Sequence, residues 1–152
     1  FKGYRKQPEK TKSEFRDDGF FVTGDMGYLD QDNYLTIVGR NKDLIITGGL
    51  NVYPKEIETV IDTDSNVEES AVIGVSHPDF GEGIIAIIVE KKGQNIDPQI
   101  LHEILQRNLA TFKLPKKTHI IKELPRNTMG KVQKNVLRNV YKDEFRIRKT
   151  SQ

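Results

Sequence analysis

Three charged side chains, Asp25, Arg40 and Lys131, stand near glycines in the sequence, where a flexible backbone lets a ligand come close. The carboxylate of Asp25, which follows Thr23-Gly24, can accept hydrogen bonds from a pair of hydroxyl groups. The guanidinium of Arg40 suits phosphate or sugar oxygens, and Lys131 offers a point charge on a flexible stem. Each residue taken alone also fits a solvated turn, a surface salt bridge or a solvated lysine, so none of them decides a function by itself.

A glycine pair, Gly48-Gly49, lies between a short apolar β run at residues 44–46 and a helix that begins at Pro54. Proline suits the first turn of a helix because its missing N–H costs nothing there. The glycines can take positive φ angles or let the loop approach a ligand closely. The pattern predicts either a plain connection from strand to helix or a functional loop, and spacing alone leaves both open.

The composition is typical of a soluble protein. Charged residues make up 30% of the chain. Its length of 152 residues leaves room for one ordinary domain, or for a small domain and a piece of another. The net charge of +2, with acids and bases interleaved, argues against nucleic acid as a partner. The sequence has no cysteine, which excludes disulfides, thiolate catalysis and zinc–sulfur sites and favours a reducing compartment such as the cytoplasm.

Neither a metal site nor a membrane span is predicted. The three histidines, His77, His102 and His119, lack the spacing of metal ligands. The longest apolar run, residues 84–89, is far too short to cross a membrane. Because the chain opens on Phe1 and not on a methionine, we expect it to be a piece of a longer protein.

The first part of the chain predicts a helix and a small β meander. The helix covers residues 9–15, and β-rich segments follow at 20–23, 27–29 and 34–38. Two or three short strands cannot bury enough apolar surface alone. We therefore expect this segment to join a sheet whose other strands lie in sequence outside this chain.

The rest predicts a compact α/β (α+β) unit, a small mixed sheet with flanking helices. Residues 70–75 and 83–89 are β-branched and apolar, as in strands buried on both faces. Asp97 is a suitable N-cap for a helix that continues to about Leu109. The other predicted elements are helices at 54–62 and 131–145, a strand at 118–121 and a frayed tail at 146–149. In the last helix, Val132, Val136, Leu137 and Val140 are expected on the inner side.

Three blocks together resemble the C-terminal part of the adenylate-forming enzyme superfamily: residues 23–25, 39–58 and 125–134. That superfamily holds acyl-CoA synthetases, the adenylation domains of nonribosomal peptide synthetases and beetle luciferases. The form Gly48-Gly49-Leu50-Asn51-Val52-Tyr53-Pro54-Lys55-Glu56-Ile57-Glu58 is most similar to the acyl-CoA ligases. The resemblance implies that residues 1–41 end an N-terminal adenylation domain and that residues 42–152 form a C-terminal lid.

The resemblance also implies roles for single residues. Asp25 would hold the ribose hydroxyls of the adenylate, Arg40 would contact ribose and phosphate, and Lys131 would reach the carboxylate and α-phosphate oxygens during adenylation. Lys42 would be the hinge of the lid. The remaining implied residues serve coenzyme A: Gly48, Gly49 and Leu50 along the pantetheine channel, and Lys113 at its 3′-phosphate.

The implied reaction has two steps. A carboxylic acid, fatty or other, reacts with ATP and Mg²⁺ to give an acyl-adenylate, and the acyl group then passes to coenzyme A. The implied partners are the N-terminal adenylation domain and a lysine acetyltransferase acting on Lys131, and the isolated chain is expected to be inactive. Two alternatives stay open: the lid of a peptide-synthetase adenylation domain, which would serve a carrier protein, and a stand-alone binding domain without catalysis.

Overall fold

The computed structural model describes residues 1–146, which divide into two compact units: Phe1 to Lys42, and a second unit that begins at Asp43. The predicted frayed tail at 146–149 lies, apart from Arg146, outside the described residues. The assignment of residues 1–41 to an N-terminal adenylation domain stays a prediction.

The first unit consists of one short helix and one antiparallel hairpin. Helix α1 spans Pro8–Glu14, and strands β1 (Asp25–Leu29) and β2 (Leu35–Arg40) pair with each other. The prediction of a strand at residues 20–23 is wrong, because within this run only Phe21 pairs, in a single bridge to Phe15. A strand needs a partner along its length, and here the pairing with the segment around Phe15 ends after this one bridge.

No side chain between residues 1 and 42 is buried. Large apolar side chains of the hairpin stay exposed, with Tyr28 at 56%, Leu29 at 64% and Leu35 at 63% of their full accessibility. A single hairpin has too few neighbours to cover both of its faces, which agrees with the general instability of isolated two-stranded sheets.

The second unit is built on a five-stranded mixed sheet in which β6 is the central strand. Strands β4, β3, β6 and β5 follow one another as antiparallel neighbours, and β7 runs parallel to β6. This mixed sheet with flanking helices confirms the predicted fold class. The elements are β3 (Ile45–Thr47), β4 (Leu50–Val52), α2 (Pro54–Ile61), β5 (Val67–His77), β6 (Gly81–Glu90), α3 (Pro98–Asn108), β7 (Lys117–Ile121) and α4 (Lys134–Tyr141).

The long pair β5 and β6 carries the core. Its side chains alternate between the two faces of the sheet, as the period of a strand requires. On one face, residues such as Val72 and Ile88 pack with Ile57 of α2 and Leu101 of α3. On the other face, residues such as Ile73 and Ile87 pack with Leu137 of α4. The prediction that these strands are buried on both faces is confirmed.

The last helix begins later than predicted. Helix α4 starts at Lys134 and ends at Tyr141, so Lys131 precedes it. Residues 131–133 are instead held in a loop, since the Lys131 carbonyl accepts the backbone N–H of Asn127 at 3.0 Å and the backbone N–H of Gln133 donates to Pro125 O at 2.8 Å. Val132 and Leu137 do pack inward, but Val140 is 67% exposed and does not face the core.

Helix α3 follows the prediction closely. It starts at Pro98, and the Asp97 carboxylate accepts hydrogen bonds from the backbone N–H groups of Gln99 and Ile100 at 2.8 and 3.4 Å. Strand β4, by contrast, was not predicted. It is only three residues long and pairs with β3 directly across the glycine pair.

Candidate functional site

Asp25 and Arg40 are brought together at the open end of the β1–β2 hairpin. They are the first pair of its register, and Arg40 Nε lies 2.9 Å from Asp25 Oδ1. Their side chains are 29% and 53% exposed, respectively. Arg40 contacts Asp25 through Nε, so its other donors can still reach sugar or phosphate oxygens, and the Asp25 carboxylate can still accept from sugar hydroxyls.

The backbone around Asp25 is tightly constrained. Gly24 has a φ of +74°, and its carbonyl accepts the backbone N–H of Asn41 at 2.9 Å. Two residues beyond Asp25 the register shifts, and a Cβ on Gly27 would lie 2.7 Å from the carbonyl oxygen of Thr36. The two glycines therefore serve different needs: Gly24 provides a left-handed backbone, and Gly27 provides a close strand contact.

Lys131 lies on a tight loop that we call the lysine loop, Pro125–Gln133. Its two ends are joined by a bridge between Arg126 and Val132 and by a backbone bond from Gln133 N–H to Pro125 O at 2.8 Å. The side-chain oxygen of Asn127 accepts the backbone N–H groups of Met129 and Lys131, at 3.0 and 2.9 Å. The loop is therefore an ordered turn.

The side chain of Lys131 is exposed, and within residues 1–146 no carboxylate forms an ion pair with its ammonium. Arg126, five positions earlier, is bound to the carboxylate of Glu69 on β5. Because a lysine without a counter-ion keeps its full charge available, the loop can present a cation to an anionic ligand.

The glycine pair forms the tip of a hairpin that we call the glycine hairpin, Ile45–Val52. Thr47 pairs with Leu50, and Gly48 and Gly49 between them have φ angles of +58° and +79°. Positive φ at both central residues is the signature of a type I′ turn. Ile46 and Leu50 beside the tip are 51% and 47% exposed, so the tip is a bare backbone with apolar flanks.

Residues just before and at the start of β6 brace this hairpin. The backbone N–H of Gly48 donates to the carbonyl of Phe80 at 2.8 Å, and the backbone N–H of Ile46 donates to Glu82 Oε2 at 2.7 Å. The Glu82 carboxylate thus replaces a backbone acceptor where β3 and β6 share only one pair, Thr47 with Gly81. Reasoning from sequence gave Glu82 no role, since its partner lies thirty-six positions away.

Lys113 and Lys42 occupy ordinary local structures. The ammonium of Lys113 lies 2.6 Å from Glu56 Oε1, so it could bind a phosphate only by sharing or leaving that partner. Lys42 belongs to a single 3₁₀ turn, Asn41–Asp43, and is the last residue of the first unit. The roles predicted for both residues stay predictions.

A buried ion pair that the sequence did not reveal joins two helices of the second unit. The Glu58 carboxylate of α2, 9% exposed, lies 2.5 Å from the ammonium of Lys134 at the start of α4. The same oxygen accepts the backbone N–H of Val72 on β5 at 2.8 Å. The two residues lie seventy-six positions apart in the chain. The sequence indicated this burial only through the position of Glu58 on the apolar side of α2.

Residues 1–146 contain no group of three or more histidine, cysteine, aspartate or glutamate side chains placed to hold a metal ion. In the same part of the chain, every helix is too short or too polar to cross a membrane.

A sequence profile of the AMP-binding enzyme C-terminal domain matches residues 56–131, half of the chain. The chain belongs to this family. That membership confirms the predicted resemblance, and the AMP-binding C-terminal domain covers β5, β6, α3, β7 and the lysine loop up to Lys131.

Two full-length relatives that this chain resembles are named as CoA ligases. A 2-succinylbenzoate–CoA ligase of Listeria innocua is 45% identical over 136 residues, which are 90% of this chain and 28% of the relative. A long-chain-fatty-acid–CoA ligase of Mycobacterium tuberculosis is 46% identical over 140 residues, 92% of this chain and 27% of the relative. The chain therefore spans little more than a quarter of the length of these relatives.

Among solved structures, ATP-bound MatB from Rhodopseudomonas palustris is 61% identical to this chain. The match has a TM-score of 0.86 and covers 96% of this chain and 29% of that one. An amide bond synthetase, McbA from Marinactinospora thermotolerans, matches with a TM-score of 0.83 at 32% identity. The fold of the AMP-binding C-terminal domain is thus shared by MatB and by an amide bond synthetase.

Proposed function

We propose that this chain is the mobile C-terminal lid of an AMP-forming acyl-CoA synthetase. The observation that carries the proposal is Lys131, an exposed cation without a counter-ion among the described residues, held on an ordered loop. A cation on a rigid support stabilises charge that develops in a transition state without reorganising at that moment. The names of the relatives, CoA ligases and ATP-bound MatB, support ATP and coenzyme A as substrates.

In the first half-reaction, an oxygen of the substrate carboxylate attacks the α-phosphorus of ATP. The new bond joins that oxygen to phosphorus, the bond from the α-phosphorus to the bridging oxygen breaks, and pyrophosphate leaves with any Mg²⁺ that came with ATP. Lys131 would stabilise the negative charge on the α-phosphate and carboxylate oxygens. Asp25 would accept hydrogen bonds from the ribose hydroxyls, while Arg40 would donate to ribose and phosphate oxygens.

In the second half-reaction, the sulfur of coenzyme A attacks the acyl carbon. The carbon–sulfur bond forms, the bond from the acyl carbon to the phosphate oxygen breaks, AMP leaves, and the thiol proton passes to solvent. The bare tip of the glycine hairpin would lie along the pantetheine arm, where Gly48 and Gly49 leave room for it and Leu50 lines it. Lys113 would meet the 3′-phosphate of coenzyme A after exchanging Glu56 for that anion.

Between the two half-reactions the lid would rotate about Lys42. A hinge needs only a few residues that absorb a change in φ and ψ, and a single 3₁₀ turn outside the packed core suits that need. The acid would be fatty or another small organic acid. Relatives named for succinylbenzoate and for long-chain fatty acids are almost equally similar to this chain, so the lid itself carries little of that choice.

The proposal extends to the partner and the place of action of the lid. The exposed apolar side chains of the first unit would be covered by the rest of an N-terminal adenylation domain in the cytoplasm. The isolated chain would be inactive because it spans little more than a quarter of its relatives. Acetylation of the exposed Lys131 by a lysine acetyltransferase would remove the charge that adenylation needs.

The test is a comparison of Lys131→Ala with Lys122→Ala in the full-length enzyme. Both lysines are exposed, and only Lys131 is assigned to chemistry. We expect Lys131→Ala to lower acid-dependent pyrophosphate exchange about 10²- to 10³-fold, the usual loss for one electrostatic group. Lys122→Ala should leave it unchanged. Equal rates for both variants would remove Lys131 from the mechanism and contradict the proposal.

A further inference from the structure

The peptide group that links Gly130 to Lys131 is held at both of its polar ends. Its carbonyl oxygen, on Gly130, accepts a hydrogen bond from Arg126 Nη1 at 2.6 Å. Its N–H, on Lys131, donates to the side-chain oxygen of Asn127 at 2.9 Å. A peptide is planar, so fixing both ends fixes the plane and limits the direction in which the Lys131 side chain leaves the backbone.

Arg126 is itself anchored to strand β5 of the central sheet. While Nη1 holds the Gly130 carbonyl, Nη2 is bound to the carboxylate of Glu69. Glu69 lies on β5 and pairs with Val89 of β6, within the long strand pair that carries the core. The planar guanidinium therefore forms a stiff bridge from the central sheet to the residue before Lys131, which the point charge of a lysine could not form.

This bridge is poorly placed to stabilise the fold. The side chains of Arg126 and Glu69 are 44% and 28% exposed, respectively, and ion pairs at such exposure contribute only about 0–1 kcal/mol. The lysine loop already has apolar anchors at its two ends, Leu124, which is buried, and Val132. A role in orienting Lys131 accounts better for a two-pronged contact at this position than a role in folding does.

We propose that Arg126, held by Glu69, is a positioning residue for Lys131 in the adenylation half-reaction. The inference rests on the function proposed above and goes beyond it by naming the two residues that orient the backbone before Lys131. Since the charge of Arg126 is neutralised by Glu69, its contribution is geometric. A displacement of about 1 Å in a catalytic group can cost about 10²-fold in rate.

The test compares Arg126→Met with Arg107→Met in the full-length enzyme. Arg107 lies on α3 and is 75% exposed in a pair with Glu103, so it controls for the loss of a surface arginine. We expect Arg126→Met to lower the kcat of pyrophosphate exchange about 10- to 100-fold with little change in KM. Thioester formation from a supplied acyl-adenylate should be kept, and Arg107→Met should change neither rate.

Two further variants separate positioning from other effects. Arg126→Lys keeps the charge but cannot reach both partners, so it should restore only part of the rate. In a Lys131→Ala background, Arg126→Met should cost nothing more, because a residue that acts only through Lys131 has nothing left to position. In the 152-residue chain, Arg126→Met should also speed hydrogen exchange of the Lys131 amide.

The inference is overturned if Arg126→Met leaves adenylation unchanged, if it lowers both half-reactions equally, or if its loss adds in full to that of Lys131→Ala. These failures differ from a failure of the proposed function. That function fails when Lys131→Ala itself leaves pyrophosphate exchange intact, whatever Arg126→Met does.

Discussion

The glycine hairpin and the lysine loop are two tight turns of one compact unit, and they are held in place by different means. The glycine hairpin is fixed by backbone pairing between β3 and β4 and by backbone donors to Phe80 and Glu82. The lysine loop is also closed by backbone bonds, such as the one from Gln133 N–H to Pro125 O, but the side chains of Arg126 and Asn127 add bonds to the backbone on both sides of the peptide before Lys131. A turn fixed by pairing of short strands can present a bare tip, whereas the added side-chain bonds allow a turn to present one charge in a set direction.

The glycines of the two turns serve the same purpose. Gly49 and Gly130 have φ angles of +79° and +76°, and a Cβ built on either meets no atom within 4 Å. Both positions need glycine for backbone conformation and not for space inside the unit. A side chain on Gly49 therefore meets no steric obstacle within the described residues, so the two turns can be tested separately.

The largest expected effect concerns the ion pair that joins α2, which follows the glycine hairpin, to α4, which follows the lysine loop. Glu58 follows the glycine hairpin on α2, and Lys134 follows the lysine loop on α4. Lys134→Met would leave the 9% exposed carboxylate of Glu58 without its cation, and we expect a loss of about 3 kcal/mol in the free energy of unfolding. Urea denaturation of the 152-residue chain measures it.

The matched control is Lys113→Met, which removes the cation from Glu56. That carboxylate is 41% exposed, so water can replace the lysine and the expected loss is below about 1 kcal/mol. Equal losses in the two variants would mean that the Glu58 pair is not a structural link between the helices.

The next effect isolates the glycine hairpin. Gly49→Leu should lower thioester formation from a supplied acyl-adenylate about 100-fold, because a side chain at the bare tip would displace the pantetheine arm from its reactive position. Pyrophosphate exchange should be kept. The control is Gly93→Leu, which places the same side chain at a glycine with a φ of +77° and equally open surroundings. If both variants lose the same activity, backbone strain and not a channel explains Gly49.

The smallest expected effect is a pH dependence of stability that comes from Tyr141 on α4, the helix that follows the lysine loop. Burial, and then the nearby charge of Glu144, raise the pKa of Tyr141 on α4 above its ordinary value near 10. Above about pH 10 the unfolded chain loses this proton while the folded chain keeps it, so stability falls as the pH rises through the folded pKa. The part of this loss that Tyr141 causes should disappear in Tyr141→Phe.

Denaturant titrations at about pH 9 and about pH 11 measure that contribution, since the range brackets tyrosine ionisation. The control is Tyr34→Phe, because Tyr34 is 72% exposed and its loss should leave the alkaline decrease as in the wild type. An unchanged decrease in Tyr141→Phe would show that Tyr141 is not protonated more tightly in the folded chain.

Local patterns predicted the core of the second unit well. Strands β5 and β6 were found because continuous β-branched runs suit strands covered on both faces, and α3 was found because Asp97 followed by Pro98 is a strong helix start. Strand β4 escaped because three residues carry no periodicity. Its signal was the Gly-Gly pair between short apolar segments, which is typical of a two-residue hairpin.

Other features depend on partners distant in the chain. The start of α4 was placed too early because the bonds between Asn127 and Lys131 are set within the turn and not by helical spacing. The ion pairs of Arg126 with Glu69 and of Lys134 with Glu58 cross fifty-seven and seventy-six positions. Periodicity says which face a side chain occupies, and it does not say which partner it meets there.

The most direct test of the account crosses the two turns with the two half-reactions. Lys131→Ala and Gly49→Leu would each be measured in full-length enzyme, for pyrophosphate exchange and for thioester formation from supplied acyl-adenylate. We expect opposite losses: Lys131→Ala loses only the exchange, and Gly49→Leu loses only the thioester step. If each variant instead loses both activities in the same ratio, the two turns do not serve separate half-reactions, and the proposed rotating lid is contradicted.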